Sequence, residues 1–110
     1  MPYGLKDKQI SAIHSVFSRY PEVRKAILYG SRAKGNYRRG SDIDLTLVGD
    51  ALDLTILFKI ENELDDLLLP YKIDLSVFSG IENPELLGHI ERVGKVFYLA
   101  DNYKIHVEKQ

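Results

Sequence analysis

Two aspartates, Asp42 and Asp44, stand two positions apart in the run Ser41-Asp42-Ile43-Asp44-Leu45-Thr46-Leu47-Val48. Alternate side chains of an extended strand share a face, so both carboxylates project from one side, their attachment points roughly 6.6 Å apart at about 3.3 Å per residue. At an effective dielectric of about 20, two full charges at that distance repel by about 2.5 kcal/mol. Aspartate is also a poor strand former, so something must compensate. A divalent cation such as Mg²⁺ would do so, because hard ions take carboxylate oxygens, keep several waters and accept further ligands from substrate phosphates. Two such ions about 3.5–4 Å apart would share the pair, one beside an attacking oxygen and one beside a leaving phosphate. Asp74 is expected at a similar depth on a neighbouring strand, as a third ligand or as the base that takes the attacking hydroxyl's proton.

A second component lies upstream. The apolar run Ala26-Ile27-Leu28-Tyr29 stops at Gly30-Ser31, ahead of an expected helical turn over Ser31–Lys34. Glycine lets backbone approach a phosphate closely, and free amides at a helix start, with the Ser31 hydroxyl, can hold phosphate oxygens. Arg32 and Lys34, near this cradle, are candidates to steer a triphosphate; Arg38 and Arg39 complete a local basic cluster that solubility alone would also explain. A cradle facing a metal site suits in-line nucleotidyl transfer, in which a hydroxyl attacks the α-phosphorus of a nucleoside triphosphate and pyrophosphate leaves. The plainer alternatives are that Asp42 caps the turn after Gly40-Ser41, that Asp44 is a solvated strand residue and that Ser31 is only a helix cap. His14, His89 and His106 lack metal-ligand spacing and read as structural or solvated.

The elements that must position these residues follow from periodicity. Ile10, Ile13, Phe17 and Tyr20 share one side of a helix within Lys6–Tyr20, ended by Pro21. Val23–Tyr29 reads as a buried strand, Asp42–Val48 as a second with Ile43, Leu45 and Leu47 inward, and Lys72–Phe78 as a third. Asp53 is a plausible N-cap for a helix to about Leu69, with Leu57, Ile60, Leu64, Leu67 and Leu68 inward and Pro70 as its stop. Asn83-Pro84-Glu85 starts another helix through Val93, and Val96–Leu99 is a final strand. The tail alternates weakly through Tyr103, Ile105 and Val107 and is expected either to add an edge strand or to stay mobile. The fold class is α/β or α+β, a small mixed sheet covered by helices, with the first two strands antiparallel because their connection is too short for an ordinary crossover helix.

Composition bounds the rest. At 110 residues and 45% hydrophobic, residues 1–110 are expected to form one domain with one core. Fifteen basic against sixteen acidic side chains leave a formal charge of -1, which gives no global field for nucleic acid. The absence of cysteine excludes disulfides, zinc ribbons and thiol catalysis. No apolar run approaches the roughly 20 residues of a membrane span, and the opening residues lack a signal-peptide core, so a cytoplasmic location is expected.

Gly30-Ser31-Arg32-Ala33-Lys34-Gly35, then Ser41-Asp42-Ile43-Asp44-Leu45 after a ten-residue spacer from Arg32 to Ser41, resembles the signature of the DNA polymerase beta-like nucleotidyltransferase superfamily. In that resemblance Asp74 matches the third carboxylate, and the size is similar to the minimal nucleotidyltransferases, or MNT proteins, which commonly pair with a small helical HEPN protein as antitoxin and toxin. The resemblance implies a polymerase beta-like palm fold and a metal-dependent transfer of a nucleotide, AMP from ATP, with Mg²⁺ or Mn²⁺. It further implies a tyrosine hydroxyl of the HEPN partner as acceptor. Larger members carry an added helical domain that grips base and acceptor; here a partner subunit or a second copy is expected to complete the pocket. The other reading is a non-catalytic nucleotide-binding module that neutralises its partner by binding.

Overall fold

The computed structural model describes residues 1–101. The alternating tail through Tyr103, Ile105 and Val107, and His106 with it, lies outside the described residues. A 3-10 turn, Pro2–Gly4, leads into helix α1 (Asp7–Ser18), strand β1 (Lys25–Tyr29), the short helix α2 (Gly30–Lys34), β2 (Ile43–Val48), α3 (Leu54–Asp65), β3 (Ile73–Val77), a second 3-10 turn (Phe78–Gly80), α4 (Pro84–Val93) and β4 (Lys95–Leu99). No helix among the described residues is long and apolar enough to cross a membrane.

The four strands form one mixed sheet in the order β3-β2-β1-β4. β1 is antiparallel to both β2 and β4, as the short β1–β2 connection requires, whereas β2 and β3 are parallel and joined through the crossover helix α3. Ala26, Leu28, Ile43, Leu45, Leu47 and Leu75 line one face and are sealed by Ile13, Val16 and Phe17 of α1 and by Leu57, Ile60 and Leu64 of α3. By alternation the opposite face carries Tyr29, Asp44, Thr46, Asp74 and Ser76. There α4 packs on β1, and Asp74 remains exposed.

Local chemistry explains the element ends. Asp53 accepts from Ile56 N–H at 2.9 Å, and Asn83 accepts from Glu85 N–H at 2.9 Å, so both expected N-caps close their helices. The helix after Asp53 is shorter than its apolar pattern predicts. It ends at Asp65, and Leu68, expected on the buried stripe, is 87% exposed with φ 54°. The physical reason is Pro70, which disfavours helical backbone at Leu69, so the chain unwinds beforehand through tight Leu67-to-Leu64 and Leu68-to-Asp65 bonds. Leu67 and Leu69 still pack on the core. Phe78, expected as the last residue of the third strand, opens the second 3-10 turn instead.

β4 carries a register shift against β1 between Ala26 and Ile27. The extra residue lets Phe97 and Tyr98 both turn toward α1, where Phe97 meets the His14 ring at 5.0 Å and Tyr98 meets Phe17 at 5.5 Å. His14 Nε2–H donates to the Phe97 carbonyl at 2.6 Å, the structural role expected of a helical histidine.

Leu45→Ala should cost roughly 2–5 kcal/mol in urea unfolding, because the side chain is fully buried between α1 and α3. Leu68→Ala should stay within about 0.5 kcal/mol, which separates the observed end of α3 from a helix continued to Leu69.

Candidate active site

The site is built where β1 turns into α2. Tyr29 has extended backbone and Gly30 has φ +73°, in the left-handed region that glycine enters without penalty. A Cβ added to Gly30 would fall on Asp44 Oδ2, so the bend and the carboxylate are in direct apposition. Strand register causes this. Antiparallel pairing sets Tyr29 opposite Asp44, and parallel pairing sets Asp44 beside Asp74. Ser31, half-buried, follows directly on the bend, so the Gly30–Ser31 backbone, Asp44 and Asp74 share one side of the sheet.

The proximity shapes the electrostatics. The Asp44 carboxyl is pushed above the usual carboxylate range by burial first, then by the negative charges of Asp74 and Asp42, while His89 and Lys72 pull it back. Burial also pushes the Tyr29 phenol up; its hydrogen bond with Ser76 acts the other way, and Asp74 and Asp44 add to the rise. Ser76 in turn donates to the fully buried Thr46 hydroxyl at 2.9 Å. A hydroxyl network therefore lies behind the carboxylates.

Asp42, Asp44 and Asp74 are neighbours, but they do not close as they lie into a three-ligand cluster; among the described residues no such group of acidic or imidazole side chains stands ready to hold one ion. Their chemistry nonetheless fits a hard divalent cation: the donors are all carboxylate oxygens, they repel one another, and Asp44 lies against a bend with no room for a Cβ.

The basic residues divide. Arg32, a candidate for phosphate contact, is 2% exposed and its side chain does not serve the cradle. Its Nε and Nη2 donate to the Ser41 carbonyl at 3.0 and 2.7 Å, its Nη1 donates to the Tyr3 carbonyl at 2.8 Å, and its guanidinium stacks on Tyr71 at 4.6 Å and Tyr37 at 5.3 Å. The cause is geometric: Arg32 leaves α2 toward the loop that returns to β2, where carbonyls and aromatic faces satisfy its donors and its charge. Lys34 stands exposed in the last turn of α2.

Two residues escaped the sequence pattern. Gly30 N–H donates to His89 Nε2 at 3.0 Å, and the His89 ring stands edge-on to Tyr29 with centroids 6.1 Å apart. The only available signal was that His89 flanks the apolar stripe Leu86, Ile90 and Val93, which does not say what it meets. Tyr29 read as the end of a buried strand, and only strand pairing shows that it faces Asp44.

With this geometry in hand, the chain can be set beside known proteins. A family model described as "Polymerase beta, Nucleotidyltransferase" matches residues 11–103. Among curated proteins none matches. Solved structures do. A chain of a toxin–antitoxin crystal structure with AMP-PNP aligns with TM-score 0.65 and 21% identity over 96% of this chain and 83% of that one. A chain of a complex of tri-AMPylated Shewanella oneidensis HEPN toxin with MNT antitoxin aligns with TM-score 0.63 and 17% identity over 94% and 79%. A chain of an MntA-HepT toxin–antitoxin structure gives 0.63 and 18% over 94% and 82%. At these identities the likeness is one of fold.

The raised Asp44 carboxyl sets a pH dependence. While both states are protonated, below the unfolded value of about 3.9, it does not weaken the fold; as pH rises from there through the higher native value, the unfolded chain ionises first and stability falls. Asp44→Asn should therefore melt higher than the parent at pH 7 without metal or nucleotide. Calorimetry should show the difference shrinking toward about pH 4.

Proposed function

The chain belongs to the polymerase beta nucleotidyltransferase family, and from that premise we propose that it transfers a nucleotide, AMP from ATP, to a hydroxyl of a protein partner. The observation that carries this reading is the apposition of the Gly30–Ser31 bend to Asp44, with Asp74 alongside. The Ser31 amide and hydroxyl hold phosphate oxygens at the bend. Asp42 and Asp44 are the residues that would hold divalent cations, Mg²⁺ or Mn²⁺, with Asp74 as third carboxylate. When bound, such cations neutralise phosphate charge and polarise the α-phosphoryl group, with two ions the expected number. The acceptor hydroxyl oxygen bonds to the α-phosphorus, the bond from that phosphorus to the bridging oxygen breaks, and pyrophosphate leaves. Asp74, exposed at the rim, takes the hydroxyl proton.

The reading of the partner is supported by the structural neighbours, whose chains come from toxin–antitoxin complexes that include AMP-PNP and a tri-AMPylated HEPN toxin. We take the acceptor to be a tyrosine of a HEPN-type toxin, this chain to be its antitoxin, and the working unit to be residues 1–110 in the cytoplasm. The large exposure of Asp74 supports an acceptor that arrives on another polypeptide.

Asp44→Asn should leave circular dichroism unchanged yet lower Mg²⁺-dependent transfer of label from α-labelled ATP to the co-purified partner by at least about a hundredfold. Intact-mass analysis of the partner's tyrosine peptides gives the increment, expected in AMP units. Transfer at the parental rate by the Asn variant would refute the assignment.

A further inference from the structure

We infer that His89 is a positioning residue of this site: its imidazole holds the Gly30–Ser31 bend against Asp44 and thereby sets the grip on the nucleotide's phosphates. The inference rests on the bend being the phosphate cradle proposed above.

Gly30 N–H can only donate, so the His89 nitrogen that receives it at 3.0 Å is the unprotonated one, and the ring carries its hydrogen on Nδ1. The bond falls where the backbone most needs it. Glycine is the residue freest to leave a given conformation, and Gly30 sits at φ +73° with Asp44 Oδ2 filling the place of a Cβ. Asp44 blocks movement of the bend toward the carboxylate, and His89 tethers its amide.

The tether is itself firmly mounted. Tyr29 meets the imidazole edge-on at 81°, which fixes the ring plane. The helix that carries His89 is capped by Asn83, opens on Pro84 and is pinned by the buried Ile90. Three elements, β1, β2 and α4, thus converge on one glycine. Because that amide is used internally, it is withdrawn from phosphate binding, and the contact passes to Ser31 with its amide and hydroxyl. One side chain on α4 therefore holds the bend through the Gly30 amide.

The test uses the full chain, ¹⁵N-labelled, titrated with AMP-PNP and Mg²⁺ and followed by calorimetry and amide spectra. His89→Leu keeps bulk but removes the acceptor and should weaken AMP-PNP binding about tenfold, the equivalent of one hydrogen bond. His89→Gln, whose amide oxygen reaches the position of Nε2, should bind within about threefold of the parent. In the parent the Gly30 amide resonance should hold its place on nucleotide addition while that of Ser31 moves. In the leucine variant the Gly30 resonance should already be displaced without nucleotide. Should leucine impair folding, His89→Asn, too short to reach the amide, takes its place, and equal binding by the asparagine and glutamine variants overturns the inference. So does a leucine variant that binds like the parent, or a parent in which Gly30 responds most to nucleotide. A parent that binds no AMP-PNP overturns the proposed function and this inference together, a result distinct from the others.

Discussion

The site depends on strand register. Antiparallel pairing places Tyr29 opposite Asp44, and parallel pairing places Asp44 beside Asp74. A slip of one residue would turn Asp44 into the core and Leu45 out to water. Burial of Leu28, Leu45 and Leu75 is worth about 1.5–3 kcal/mol each, whereas repulsion between two carboxylates at strand spacing is about 2.5 kcal/mol. The core on one face therefore wins, and it holds like charges together on the other. The carboxylates stay where hydrophobic packing puts them, not where electrostatics would.

The same logic gives the spacer between the bend and Asp42 its fixed length. Arg32 opens the spacer and Ser41 closes it, and the Arg32 guanidinium binds the Ser41 carbonyl through two donors. Inside that loop the Ser41 N–H donates to the Arg38 carbonyl at 3.0 Å, and the Arg38 N–H donates to Ser41 Oγ at 2.9 Å. The two ends of a segment whose only aliphatic side chain is Ala33 are thus tied directly to each other. An inserted residue would have to break the clamp or bulge outside it. What looks in sequence like a basic residue offered to phosphates is in space the fastener that sets where β2 begins.

This shows how far residue types and spacing carry. Alternation located the strands and both faces of β2, apolar periodicity located the helices, and a short connection sufficed to orient β1 and β2, because each rests on local geometry. The Gly30–Asp44 apposition could be anticipated since glycine is demanded where backbone must approach something. The roles of Arg32 and His89 were not legible. A charged or imidazole side chain has no periodic signature, and its partners, Tyr3, Tyr71 and Gly30, come from distant parts of the chain. The end of α3 differs from its expected position for a separate reason: Leu67, Leu68 and Leu69 extend the apolar pattern, yet Pro70 acts backward on the turn before it.

With Arg32 turned into the loop, the carboxylate row is left with little positive charge from the protein. Lys72 acts on Asp44 only through space, and the Arg19–Glu63 ion pair lies elsewhere. The hydroxyls of Ser76 and Thr46 pair with each other, with the Tyr29 hydroxyl near Ser76, and bring no charge to the row. An anionic nucleotide alone would meet Asp42, Asp44 and Asp74 as three further negative charges. A nucleotide carrying its own divalent cation would meet them as ligands. The electrostatics of the row therefore favour the metal complex over the free anion, and the selection follows from where one arginine points.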